Sequence, residues 1–127
     1  MFACWVCCLG YVRVVGTVAN PLSRDLRVEV EFLFDTGEIY TVISKSIADR
    51  VGLKELGRRK FKTGSGVVEL PVAEAYLVVE GEGVTSLVAV SADDAMPVLL
   101  GVTTLELLGL QVNPVNGKLK PLELLIL

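Results

Sequence analysis

Val28-Glu29-Val30-Glu31-Phe32-Leu33-Phe34-Asp35-Thr36-Gly37 is the stretch whose reading decides the fold of this chain. From Leu26 to Phe34, Leu26, Val28, Val30, Phe32 and Phe34 alternate with Arg27, Glu29, Glu31 and Leu33, the period of two expected of a half-buried strand. The strand runs into Asp-Thr-Gly, where Asp and Gly favour a tight turn. An aspartate carried off a buried strand on such a turn can face a second carboxylate. Two carboxylates that close cannot both ionise, so the pair shares a proton and can hold a water. The triplet occurs once in the chain, so a paired site needs a second copy related by a twofold axis.

Upstream, Tyr11 to Ala19 reads as a Val-rich strand closed by the turn Asn20-Pro21-Leu22-Ser23. Downstream, Ile39 to Ile43 resumes as a strand. Ser46-Ile47-Ala48-Asp49 then reads as a capping box on a short helix that stops at Gly52-Leu53. Arg59 to Thr63 and Val67 to Val72 flank Thr63-Gly64-Ser65-Gly66, a hairpin with a glycine-rich tip. A second hairpin, Ala75 to Glu80 with Val84 to Val90, is expected around Gly81-Glu82-Gly83. Val98-Leu99-Leu100-Gly101 is short and wholly apolar, as a strand buried on both faces would be. Thr103-Thr104-Leu105-Glu106 reads as another capping box, on a helix ending at Gly109-Leu110. Asn116-Gly117 signals a hairpin, and Lys120 to Leu127 an apolar terminal strand. Gly37, Thr41, a capped helix and Gly52-Leu53 follow the same order as Gly101, Thr104, a capped helix and Gly109-Leu110. The parallel suggests two halves on one template around a local pseudo-twofold.

With 127 residues the chain fits one domain and one core. Hydrophobic residues make up 52% and the net charge is only -3, which excludes a disordered tail or a nucleic-acid binder driven by basic charge. The apolar start, Met1 to Val12, stops at Arg13, short of the roughly 17 to 25 residues a spanning helix needs, and lacks the basic beginning of a secretory signal. The expectation is a soluble, cytoplasmic protein without a membrane partner. Cys4, Cys7 and Cys8 in that start invite a metal or redox reading. With no His and only three thiols a closed zinc site would lack a ligand, and no βαβ pattern surrounds them, so they read as packed or terminal thiols. Asn and Gln are scarce (Asn20, Asn113, Asn116 and Gln111), which hints at a thermophilic source, whereas three Cys point the other way.

From Tyr11 to the C-terminus the chain resembles the retropepsin-like aspartic proteases, single-domain relatives of pepsin found in retroviruses and as free-standing archaeal and bacterial proteins. The resemblance rests on Asp35-Thr36-Gly37 between two apolar strands, the glycine-tipped hairpin that follows, and the apolar-apolar-Gly run Leu99-Leu100-Gly101. It implies a mostly β, half-barrel acid-protease fold with two short helices, assembled as a twofold homodimer. Residues 10–127 would form the domain and residues 1–9 an apolar, Cys-containing extension. It implies that Asp35 activates water together with Asp35 of a second copy, that Thr36 braces the turn across the axis, and that Gly37 lines the substrate channel. Thr63, Gly64, Ser65 and Gly66 would form the flap over a bound peptide, with Leu99, Leu100 and Gly101 supporting the catalytic loop. No metal or cofactor is called for, and the implied partners are a second copy and a peptide or unfolded protein, not nucleic acid.

Glu38 departs from the Ala or Ser that usually follows the triplet. It could raise the pKa of the dyad, meet a basic substrate side chain, hinder binding, or lie solvated. This leaves a rival reading, a non-catalytic domain that dimerises and binds peptides. A carboxylate metal site is the third. Asp93-Asp94 could supply a metal ligand or an intrachain partner for Asp35, but reads more simply as a solvated acidic loop. Arg58, Arg59, Lys60 and Lys62 could draw acidic substrates to the hairpin, or form its solvated face.

Overall fold

The computed structural model describes residues 11–35, 39–95, 97–112 and 118–121. Strand β1 (Tyr11–Asn20) and strand β2 (Ser23–Asp35) form a long antiparallel hairpin with Val14 opposite Phe32 and Val18 opposite Val28. Asn20 makes the turn: its Oδ1 accepts the Leu22 N–H at 2.9 Å, while its Nδ2 donates to the carbonyls of Val51 and Gly52, both at 3.0 Å. The same side chain therefore closes the hairpin and ties it to the end of the first helix. The alternation of β2 is buried unevenly, with Leu26 exposed, Val28 and Val30 half-buried, and Phe32 and Phe34 in the core.

Strand β3 (Thr41–Ser44) is fully buried, and the first helix, α1 (Lys45–Arg50), follows it directly. Strands β4 (Glu55–Thr63), β5 (Gly66–Val79) and β6 (Glu82–Ser91) form two successive hairpins. Strand β7 (Val98–Leu100) lies parallel to β2 and antiparallel to β3, and β3 lies parallel to β6. The order β1-β2-β7-β3-β6-β5-β4 is closed by a further pairing of β1 with β5, leaving β4 outside a six-stranded barrel. Val18, Phe32, Leu77, Val79, Val88 and Leu100 fill its interior. Closure needs Gly16, which pairs with Val30 on one side and Val79 on the other. A Cβ there would meet the Val78 carbonyl oxygen and come within 2.8 Å of the Phe32 ring.

Several boundaries differ from expectation. The β3 strand begins at Thr41 rather than Ile39. The N-cap of α1 is Ser44, not Ser46: its Oγ accepts the Ile47 N–H at 3.4 Å, and the Ser46 N–H is taken by Asp94 Oδ1 at 3.2 Å. The helix does end as read, with Gly52 at φ +69° and the Leu53 N–H returned to the Ala48 carbonyl at 2.9 Å. The second helix, α2 (Val102–Leu108), starts from Gly101 with no side-chain cap, so Thr103-Thr104-Leu105-Glu106 lies inside it, and Gly109 at φ 72° ends it. Val67 to Val72 and Ala75 to Val79 are one continuous strand, because pairing with β4 crosses Pro71 and pairing with β6 takes over from Val72. The β5–β6 turn is Glu80-Gly81, with both residues at positive φ, rather than Gly81-Glu82-Gly83. The two parallel segments also differ locally, since Thr41 is in a strand and Thr104 in a helix.

Strand β8 (Leu110–Val112) pairs antiparallel with strand β9 (Leu119–Pro121) in a separate two-stranded sheet. Asn116-Gly117, most of Lys120 to Leu127, and Cys4, Cys7 and Cys8 lie outside the described residues. Among the described residues no helix is long and apolar enough to cross a membrane.

Candidate active site

Asp35 is the last residue of β2, paired in register with Tyr11 and one step beyond the parallel pair Phe34–Leu100. Thr36, Gly37 and Glu38 lie outside the described residues. The chain is described again from Ile39, and here β7 and α2 support it. Leu100 is fully buried, and Gly101 lies against the Ile39–Thr41 backbone so closely that a Cβ would meet the Ile39 carbonyl oxygen and the Tyr40 carbonyl carbon and sit 2.6 Å from the Thr41 nitrogen. The Thr103 N–H donates to the Ile39 carbonyl at 3.1 Å. The apolar-apolar-Gly run therefore holds the segment that follows the Asp-Thr-Gly triplet.

A buried chain of hydroxyls continues that support. The Gly101 N–H donates to Thr41 Oγ1 at 2.9 Å, Thr41 Oγ1 and Thr104 Oγ1 are 2.6 Å apart, Thr104 Oγ1 and Ser86 Oγ are 3.1 Å apart, and Ser86 Oγ donates to the Leu87 carbonyl at 3.3 Å. Each hydroxyl has one proton, which sets the direction. Ser86 uses its proton on Leu87, so Thr104 donates to Ser86 and Thr41 donates to Thr104. All three residues are buried, and no buried side-chain polar atom among the described residues lacks a partner. Thr41→Val keeps the shape but leaves the Gly101 N–H without an acceptor and Thr104 without its donor. A buried group left unsatisfied costs about 1–3 kcal/mol. The expected result is a fall in Tm of about 3–10 °C, read by thermal unfolding; a Tm within a degree of the unsubstituted protein would mean that the relay contributes little.

At the same end of the barrel the β4–β5 hairpin overhangs a groove of about 840 Å³. Its tip is tied by Thr63, whose Oγ1 donates to the Gly66 carbonyl at 2.9 Å and accepts the Ser65 N–H at 3.3 Å. Thr63 and Gly64 line the groove, together with Phe61, Val68 and Leu70 from the hairpin and Val42, Ala89 and Leu99 from the barrel. Ser65 and Gly66 complete the tip without lining the groove. The run Val98–Leu100 is thus not buried on both faces throughout, because half-buried Leu99 opens onto this space.

The basic residues of β4 have separate duties. Arg58 pairs with Glu69 at 3.0 Å and Glu55 at 3.7 Å, Arg59 donates to the Tyr40 hydroxyl at 2.8 Å, and Lys60 and Lys62 border the groove. Asp93 and Asp94 both accept from backbone: Asp93 Oδ1 takes the local Ala95 N–H at 3.0 Å, and Asp94 takes the Ser46 N–H at the start of α1. Among the described residues no three His, Cys, Asp or Glu side chains cluster as metal ligands would. Sequence reasoning passed over Tyr40, Ser86 and the contact between Thr41 and Thr104. A hydroxyl within an otherwise apolar strand, as in Ile39-Tyr40-Thr41-Val42-Ile43, was the available signal.

The family model described as "gag-polyprotein putative aspartyl protease" matches residues 27–107, well over half of the chain, spanning the Asp-Thr-Gly triplet, the hairpin and β7. The chain belongs to this aspartyl protease family. Its retropepsin-like barrel is shared with solved structures of low sequence identity. The EIAV protease complexed with the inhibitor HBY-793 superposes with a TM-score of 0.54 at 18% identity, over 76% of this chain and 86% of that one. The retroviral protease-like domain of Ddi1 from Leishmania major gives 0.57 at 16% identity, over 87% and 88%. The foamy viral protease–reverse transcriptase in complex with an RNA/DNA hybrid gives 0.58 at 20% identity, over 92% of this chain but only 13% of that much longer one. Curated protein sequences gave no match.

Proposed function

We propose that this retropepsin-like domain is a homodimeric aspartic endopeptidase in which Asp35 of each subunit supplies half of the catalytic pair. The observation that carries this reading is the convergence, at one end of the barrel, of the β2 terminus bearing Asp35, the Gly101 support beneath the segment after it, and the hairpin-covered groove. The groove is largely apolar, which suits the side chains of a bound peptide. One carboxylate of the pair accepts a proton from the bound water as it attacks the scissile carbonyl, while the other, protonated, donates to the carbonyl oxygen. Collapse of the tetrahedral species then returns a proton to the leaving amine. The chemistry needs no metal.

The second reading is a domain that dimerises and binds peptides without cleaving them, and Glu38 beside the triplet favours it. Incubation with an unfolded protein across a pH series, with and without chelator, separates the two. Cleavage in the acid range that ignores chelator is the expected outcome; peptide binding without cleavage favours the module, and cleavage lost to chelator overturns both.

Glu38→Ala refines the test. Negative charge beside the dyad disfavours its ionised form and raises the pH at which it forms. Removing that charge is therefore expected to move the acidic limb of kcat/KM to lower pH, by about half a unit for charges several Å apart in a watery cleft. It should also weaken any preference for Lys or Arg beside the scissile bond. Superimposable profiles would identify Glu38 as a solvated side chain, and cleavage gained only in the variant would favour the binding module for the natural chain.

A further inference from the structure

The hairpin that overhangs the groove is built on the one strand outside the barrel. Strand β4 pairs with β5 alone, and eight of its nine residues are exposed, Phe61 being half-buried. Among the described residues, a ring contact and a hydrogen bond join it to the wall of the groove, and both are made by Tyr40. The Tyr40 and Phe61 rings meet edge to face, with centroids 5.2 Å apart and planes at 73°, and Arg59 Nη1 donates to the Tyr40 hydroxyl at 2.8 Å. Arg59 and Phe61 are two apart on β4 and so share the face that looks toward Tyr40. Tyr40 in turn is not free to follow the hairpin. Its backbone lies over Gly101, and the next residue, Thr41, is anchored in the buried hydroxyl chain.

We propose that Tyr40 is a positioning residue that latches the β4–β5 hairpin to the wall of the groove, through Arg59 and Phe61, and so sets how readily the groove opens. The latch is small and only partly buried, as one that opens on every binding event has to be. Its two halves are chemically distinct: the ring contact sets the side-to-side position of β4, and the charged hydrogen bond fixes the Tyr40 hydroxyl end. The role builds on the reading of the groove as a peptide site, but the movement it controls can be measured without any cleavage.

The test is hydrogen exchange on the full chain carrying Asp35→Asn, so that no proteolysis intervenes, with Tyr40→Phe, Arg59→Met and the two combined. Tyr40→Phe retains the ring and removes only the hydroxyl. Amides of residues 59–70 are expected to exchange about 3- to 10-fold faster in each single variant and no faster in the double, because both remove the same bond, while amides of β1, β2 and β6 stay unchanged. Phe61→Leu should accelerate the same amides and add to either. Unchanged exchange in the hairpin, or additive effects of Tyr40→Phe and Arg59→Met, would overturn the latch. In the otherwise unsubstituted chain, Tyr40→Phe should change KM for a peptide several-fold more than kcat, and Arg59→Lys, which keeps a donor for the Tyr40 hydroxyl, should change it less than Arg59→Met. Absence of cleavage by the unsubstituted chain would count against the peptidase reading alone, since the exchange result decides the latch by itself.

Discussion

Asp35→Asn is expected to lower cleavage by roughly a thousandfold or more while leaving the fold intact. Asn has the shape of Asp but cannot take the proton from water or share one with its counterpart, so both steps of the proposed mechanism stop. Stability should not fall. Asp35 is held in the structure through its β2 backbone, in register with Tyr11, and a neutral pair has less mutual repulsion than two carboxylates. The check is kcat/KM alongside thermal unfolding and sedimentation. Activity near that of the unsubstituted protein would sink the assignment, because no other Asp in the chain is followed by Thr-Gly. Mixing extends the test to assembly: if each site takes one Asp35 from each subunit, an excess of the variant should suppress the activity of the unsubstituted chain once subunits exchange. Activity that simply dilutes in proportion would argue for a site complete within one chain.

Gly101→Ala is expected to have the second largest effect. The added Cβ would meet Ile39 O, Tyr40 C and Thr41 N, all backbone atoms of the segment just beyond the triplet, so no side chain can rotate out of the way. Overpacking of this kind costs about 1–3 kcal/mol, and the shift also lengthens the hydrogen bond from Gly101 to Thr41. A Tm lower by about 5–10 °C is expected, together with a fall in activity of roughly a hundredfold, as for a displacement near 1 Å at a catalytic group. Backbone strain is not the cause, since Gly101 has an ordinary φ of -87°. Gly57→Ala, where no atom lies within 4 Å of the added Cβ, is the control expected to leave both measurements nearly unchanged. A Gly101→Ala protein with unsubstituted Tm and activity would mean that the Ile39–Thr41 backbone tolerates displacement.

Much of the site was legible because its signals are local. Asp35 at the end of an alternating strand, glycines at the tip of a hairpin, and an apolar run closing on glycine each follow from side-chain period and turn chemistry over a few residues. The helix stops at Gly52 and Gly109 were legible for the same reason, since a left-handed residue after a short helix favours glycine. The helix starts were not. Ser46 and Thr103 each stand three residues before an acidic residue, as Ser and Thr do in a capping box, yet β3 and β7 feed straight into their helices and move the starts back to Ser44 and Gly101. Val72 and Ala75 read as the ends of two separate strands, but pairing with β6 over eight positions carries β5 through.

What the sequence determined by itself was the inventory and its spacing: a mostly β chain, one Asp-Thr-Gly, and hence the expectation of a second copy. Tertiary structure alone decided what stands beside what. The parallel register of β2 with β7 sets Phe34 opposite Leu100 and brings Gly101 under a backbone some sixty positions earlier in the chain. It also joins Thr41, Thr104 and Ser86 into one proton-ordered chain, and sets Tyr40 against Arg59 and Phe61 across the groove. Period and propensity act over one turn or one strand, whereas these contacts depend on the closure of a barrel whose strands are not in sequence order. A threonine reads the same in a sequence whether its hydroxyl meets water or another threonine, and only the closed barrel, by excluding water, makes the difference.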